Sequence, residues 1–259
     1  MNYGTHPTVD FGCGPLCVFN YDSIISSLVA IVATLAVGFW LRSQLQPGSP
    51  SRVQAVFEWG YDQLRSLVKT NVSEDALFVI PLALTLFMYI LVANWIELFP
   101  LAIFPWLHGA NADLNQTLAM AVVVIAVVQW YSVRVLGWRG YLRRFTKPFE
   151  LPGWGRAIYT PLNILEEAVK PITLSLRLFG NIFAGAVMIS LLAGFGEFVI
   201  PRLGPVVGSV PGIVIGTITL GVWKAFDVIF IGFIQAFIFM LLTVVYFGQA
   251  REGLEHEHH

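Results

Sequence analysis

The chain has 259 residues, 56% of them hydrophobic and only 12% charged, with a formal net charge of −1 at pH 7. Soluble domains carry about 25% charged residues. With a mean hydropathy of +0.72 and repeated apolar runs near bilayer length, the chain reads as an all-α, multi-span membrane protein rather than a soluble globule. The runs are continuous rather than alternating, which argues against a β-barrel, and the neutral balance gives no sign of a nucleic-acid partner. Residues 1–23 contain no Lys or Arg and the first apolar run starts at Ile24, so no cleavable signal peptide is expected. Cys13 and Cys17 lie four apart in "FGCGPLCVF". A small disulfide in an oxidising compartment and two free thiols are both open readings, and neither implies a cofactor.

The first span is expected over Ile24–Leu41. Arg42 and the breaker-rich "QPGSP" follow, a loop signal. Residues 52–70 read as an amphipathic helix: Val53, Val56, Phe57, Gly60, Leu64, Leu67 and Val68 recur at helical spacing, with Arg52, Glu58, Asp62, Arg65 and Lys69 among them. Such a helix is expected to lie along the membrane surface. A second span runs from Ala76 to about Pro100 and ends in "ANWIELFP"; a third covers about Gln116–Leu136. Arg139, Arg143, Arg144, Lys147 and Arg156 come next, and the positive-inside rule puts that cluster in the cytoplasm. Residues 1–23, the "LHGANAD" loop and the Phe195–Pro211 turn then fall outside, and the tail 251–259 inside. The membrane domain is residues 24–250.

The last two apolar segments are too long for perpendicular spans. Pro161–Ala193 would extend roughly 50 Å as a helix, Pro211–Gln249 further still, and a hydrocarbon core is about 30 Å thick. Ordinary tilt of about 20° does not absorb the excess. Polar residues recur deep inside both, which favours a strongly inclined hairpin over residues 161–249.

On a helical wheel Glu166, Lys170, Thr173, Arg177 and Asn181 form one polar stripe on an otherwise apolar helix. An intramembrane charge costs at least ~2.5 kcal/mol and normally faces a cavity or partner. Snorkelling suits Lys170, near the inner end, but not Arg177, which is mid-span. The final segment offers Lys224, Asp227, Gln235, Thr243, Tyr246 and Gln249. Gln235 is the deepest, and reads either as interhelical glue or as the partner of Arg177 across the hairpin. Gly180, Ala184, Gly185 and Gly194, with Gly232 and Ala236 opposite, would let the arms approach closely. No nucleotide-binding glycine loop, metal-ligand cluster or nucleophile–base pairing is present. His6 and His108 stand alone, and His256, His258 and His259 cluster in the tail. Catalysis of a bond-making kind is not visible, and no cofactor or metal is expected.

At "NILEEAVKPITLSLRLFGN" and "IQAFIFMLLTVVYF", supported by "NWIELFP" and "NADLNQTLAMA", the chain resembles the a subunit of F-type ATP synthases from about residue 50 onward. The resemblance implies a non-catalytic proton-channel subunit of the membrane sector, working against a ring of c subunits, with the b-subunit stalk, the F1 sector and the bilayer as its other partners. It implies that Arg177 is the essential arginine facing the ring. Asn181 and Gln235 match residues of the outer half-channel, Glu166 matches the glutamate of the inner one, and Asn94 and Glu97 match the outer path. Where many relatives carry a Glu or His, this chain has Ala186 and Val228, with Asp227 one step away. The outer relay must therefore be built differently. Asp227 is a candidate if a π-bulge, for instance at Gly232, rotates it into line with Gln235. The competing readings pair Asp227 with Lys224, and Glu166 with Lys170. A secondary transporter with an anion site at Arg177, or a non-conducting scaffold, remain alternatives from other classes.

Overall fold

The structure, a computed structural model, describes residues 8–10, 18–46, 48, 50–98, 109–146, 153–199 and 210–251. Cys13, Cys17, His6, His108, Pro100 and the tail beyond Arg251 lie outside the described residues, as does most of the Phe195–Pro211 turn. A short antiparallel pair, β1 (Thr8–Asp10) and β2 (Val18–Asn20), precedes the helices; apolar periodicity gave no sign of it. Then come α1 (Tyr21–Gln44), α2 (Arg52–Asn71), α3 (Val79–Ile96), α4 (Leu114–Thr146), α5 (Gly153–Val199), α6 (Val210–Ala225) and α7 (Gly232–Gln249). A six-residue π-helical turn, Phe226–Ile231, joins α6 to α7.

Five helical segments among the described residues are long and apolar enough to cross a membrane. The chain is an all-α membrane protein with the extra helix α2, as the sequence reading has it, although several bounds differ. The second span is shorter than expected: α3 stops at Ile96 and Glu97 caps it. The third is longer. Helix α4 runs on to Thr146, with a break at Gly137 (φ 68°, ψ 165°), backbone values that favour glycine. Helix α5 takes in Pro161 and Pro171 and spans 47 residues, roughly 70 Å. Together with α6 and α7 it forms the long C-terminal hairpin.

Packing follows from which faces are apolar and small. Ser51 caps α2 by accepting a hydrogen bond from the Gln54 N–H, satisfying one of the free amides of the first turn. Its buried face presents Leu64 and Val68 to α3 and α7, in a core that also holds Val79, Ile80, Ala83, Tyr131, Met240, Val244 and Phe247. A second core joins Ile90, Ala121, Val124, Leu174, Leu178, Ala236 and Phe239 from α3, α4, α5 and α7. Helix α1 stays largely on the outside; its Ala30 packs with Ala93 and Ala110. The outward face of the hairpin is largely apolar, with Leu176, Phe183, Val187 and Leu191 on α5 and Val222, Phe226, Phe230, Phe233 and Phe237 on the other arm all exposed.

Candidate functional site

Arg177 sits midway along this outward face of α5 and is exposed. Among the described residues it makes no hydrogen bond or ion pair. Its near polar neighbour is Tyr246 of α7, which also lies beside Thr173 and within the field of the Arg177 charge. Thr173 is exposed and Asn181 half-buried, so the stripe read from the sequence borders the outward face. Gln235 does not meet Arg177. It is 6% exposed and turned into the bundle.

Asp227 is turned the same way and is 8% exposed. The π-helical turn explains why. The Gly232 N–H donates to the Asp227 carbonyl five residues back, so the turn holds one residue more than an α-turn. Eight residues separate Asp227 from Gln235, about 80° on an ideal wheel, and one extra residue in the turn brings them to within about 20°. The Asp227 carboxylate fills the space where Gly185 has no side chain; a Cβ there would overlap Oδ2 and lie 2.9 Å from Cγ. Gly185 thus serves the close approach of the arms. Gly232 instead faces α3, where a Cβ would come within 3.2 Å of Asn94, while Gly180 and Gly194 approach nothing within 4 Å.

Around Asp227 the described residues gather one polar cluster. Lys224 Nζ donates to Glu97 Oε1 at 2.9 Å, so its partner is Glu97 of α3 and not Asp227. Asn94 Nδ2 donates to the Gly232 carbonyl at 3.1 Å, and Asn111 Nδ2 donates to Asn94 Oδ1 at 2.9 Å. Asn111 is 1% exposed and its own amide oxygen has no hydrogen-bond partner among the described residues, the kind of buried acceptor that an ordered water satisfies. Asn111 escaped the sequence reading; its signal was the one amide in "GANAD", in a loop with no Lys or Arg. The cluster thus spans α3, the turn before α4, α5 and the π-helical turn.

At the other end of the bundle Glu166 is exposed and Lys170 does not pair with it. Lys170 Nζ donates to Glu167 Oε1 at 2.8 Å and to Gln249 Oε1 at 3.1 Å. Glu167 also accepts from Arg144 Nη2 at 2.7 Å and Gln129 Nε2 at 2.7 Å. At three residues' separation as at four, two side chains share a helix face, and tertiary partners on α4 and α7 select the nearer glutamate.

The family described as ATP synthase A chain matches residues 24–248. The chain is 37% identical to ATP synthase subunit a of Acidothermus cellulolyticus, over 96% of this chain and 83% of that protein. It is 37% identical to ATP synthase subunit a of Mycobacterium ulcerans, over 100% and 96%, and 38% identical to that of Mycobacterium marinum, over 93% and 90%.

Proposed function

Because the chain belongs to the ATP synthase A chain family, we propose that Arg177 is the fixed stator charge that couples proton flow to rotation of a c-ring. The protein is a multi-pass, non-catalytic subunit of the membrane sector, and its biological context is proton transport and ATP synthesis. It works in a complex with the c-ring and other subunits; contacts with the b-subunit stalk, and through the complex with F1, belong to the proposal. So do a bacterial plasma-membrane location, an outside N-terminus and a cytoplasmic C-terminus.

The observation that carries the reading is the contrast between the two arms. Arg177 is exposed and, among the described residues, unpaired on a largely apolar outward face, whereas Gln235 and Asp227 are turned inward. A guanidinium does not deprotonate in proteins. A ring carboxylic acid crosses lipid only when neutral, and a nearby cation favours its ionised form. A carboxyl arriving opposite Arg177 therefore releases its proton to the inner half-channel, on the side of Glu166. It is reprotonated through the outer half-channel, built from Asn111, Asn94, Glu97, Asp227, Gln235 and Asn181. The permanent cation also blocks a direct proton wire across the membrane. Each proton crossing 100 mV releases about 2.3 kcal/mol.

The test is Arg177→Lys in the whole synthase, reconstituted in vesicles. An ammonium loses its proton when desolvated and lacks the planar fork, so coupled synthesis collapses while the subunit still inserts. Wild-type rates in that variant would overturn the reading.

A further inference from the structure

At the Gln249 end of α7, far from Asp227, two guanidinium groups line one cavity. Its volume is about 700 Å³, and its walls are Phe78, Trp130, Tyr131, Arg134, Val135 and Arg251, with no Asp or Glu among the described residues. Helix lengths place it at one face of the membrane. Phe78 is the residue from which α3 starts, and Arg251 lies just past the end of α7. Arg134 follows Leu114, the start of α4, by 20 residues, or about 30 Å, the thickness of a hydrocarbon core. Trp130 and Tyr131 stand at the same level, as aromatic rings do where bilayer meets water. Among the described residues Arg134 makes no hydrogen bond or ion pair; its guanidinium lies over the Trp130 ring, 5.2 Å from the centroid. Arg251 donates from Nη1 to the Val72 carbonyl at 3.0 Å, which leaves the rest of its fork unengaged among the described residues. Behind the two cations Phe78 packs on Tyr131, and Tyr131 on Phe247, at centroid distances of 5.2 and 5.5 Å. Towards the bilayer centre, Trp130, Val127 and Val123 share the Arg134 face of α4, and Trp130 and Val123 are exposed.

We propose that this cavity binds an anionic glycerophospholipid, with Arg134 and Arg251 on its phosphate and an acyl chain laid along Trp130, Val127 and Val123. Charge complementarity selects the occupant. Guanidinium forks match phosphate oxygens in geometry and charge, and basic cavities between membrane helices take anionic lipid headgroups. A zwitterionic lipid carries a cation of its own beside the phosphate, and that cation would meet two guanidiniums. A free phosphate ion meets the cations alone, whereas a lipid also covers the apolar stripe. Through Arg251 and Val72 the lipid would join the end of α2 to α3, α4 and α7. The site is independent of the role proposed for Arg177.

The experiment uses the whole synthase in phosphatidylcholine vesicles doped with a trace of phosphatidylglycerol that carries a photoreactive acyl chain. Labelled peptides are located by mass spectrometry after illumination, and photoreactive phosphatidylcholine is run in parallel. The expected result is strong labelling of residues 123–130 by phosphatidylglycerol and weak labelling by phosphatidylcholine, with equal labelling by both at the exposed α1 residues Leu28, Val32 and Leu35. Unlabelled phosphatidylglycerol displaces the label from residues 123–130, and inorganic phosphate does not. One Lys or Arg beside an anionic headgroup corresponds to about fivefold in affinity. Arg134→Gln is therefore expected to weaken labelling of residues 123–130 about fivefold, and Arg134→Gln with Arg251→Gln about 25-fold, with α1 labelled as in the wild type. If the double variant does not assemble, Arg134→Gln, which keeps the bond from Arg251 to Val72, decides alone, and undiminished labelling in it overturns the proposal. Equal labelling of residues 123–130 by the two lipids means ordinary lipid-facing surface and also overturns it. So does displacement by inorganic phosphate, which means a small-ion site. A wild-type synthase with no label on residues 123–130 overturns it too, because another subunit then covers the cavity.

Discussion

The two carboxylates of the outer cluster are held differently, and that difference assigns them different tasks. Glu97 is engaged by the Lys224 ammonium, whereas Asp227 lies buried against Gly185 with no cation bonded to it among the described residues. A relay group must be free to exchange hydrogen-bonding partners as a proton passes, and Glu97 would have to release the Lys224 ammonium to do so. Asp227→Asn is therefore expected to depress proton-driven synthesis more than Glu97→Gln, with both subunits inserted. If Asp227→Asn keeps its rate and pH dependence while Glu97→Gln does not, the relay runs through α3. Gly185→Ala probes the same contact from the other arm. Its methyl would overlap the Asp227 carboxyl, and overpacking of this kind costs about 1–3 kcal/mol. The expected result is slowed synthesis with normal insertion, and a wild-type rate would mean that the Asp227 carboxyl is free to move aside. Residue identity made Asp227 visible in the sequence, because a polar side chain in an apolar run needs a reason, whereas Glu97 and Asn94 were singled out through the resemblance to the family. Partner choice was not visible. Lys224 and Lys170 each had an acceptor at helical spacing, and each found a better-placed acceptor, Glu97 and Glu167, through tertiary geometry.

At the scale of elements, apolar run length and breakers locate the helices well, since burial in lipid demands continuous apolar sequence. Phase within a helix is harder to read. A π-helical turn leaves no compositional mark in "FDVIFI", yet it advances every residue before it by one position relative to those after it. Only the mismatch between Asp227 and Gln235 on an ideal wheel hints at it. Inserting one alanine between Phe233 and Ile234, after the turn, is expected to shift the phase of α7 by one residue. Gln235 then rotates by about 100° away from the face of Asp227. The helix and its membrane insertion persist, because length and hydropathy hardly change. Synthesis measured in vesicles should fall to near background, while the helical signal in far-ultraviolet circular dichroism of the purified complex stays intact. An insertion variant that still makes ATP at the normal rate would show that the alignment of Asp227 with Gln235 does not matter.

Across the whole molecule the apolar cores fix which helices touch, but they resist sliding weakly, since lipid offers a side chain much the same environment as a neighbouring helix. Directional bonds at one end of the bundle supply the missing registration. Glu167 of α5 accepts from Gln129 and Arg144 of α4, and Lys170 carries the network on to Gln249 of α7. Arg144 also donates to Ser132, whose hydroxyl donates to the Ala250 carbonyl. Arg251 donates to the Val72 carbonyl at the end of α2. Four helices are thus tied at one level, and the height of Arg177 relative to Asp227 follows from that level. The network has two cations and one carboxylate, with side-chain exposures of 16% for Arg144, 12% for Lys170 and 16% for Glu167. Removing the carboxylate leaves two half-enclosed cations facing each other, and breaking a buried pair in this way costs about 3–5 kcal/mol. Glu167→Ala is therefore expected to lower the thermal midpoint of the detergent-solubilised complex. Glu167→Gln keeps an acceptor for both cations and should lower it less. Lys170→Met combined with Glu167→Gln removes one cation along with the charge and should recover part of the loss, because it leaves a single cation with hydrogen-bonding neighbours. Equal midpoints for Glu167→Ala and the wild type would mean that the cations reach water from where they stand, and that the apolar cores alone set the register of the hairpin.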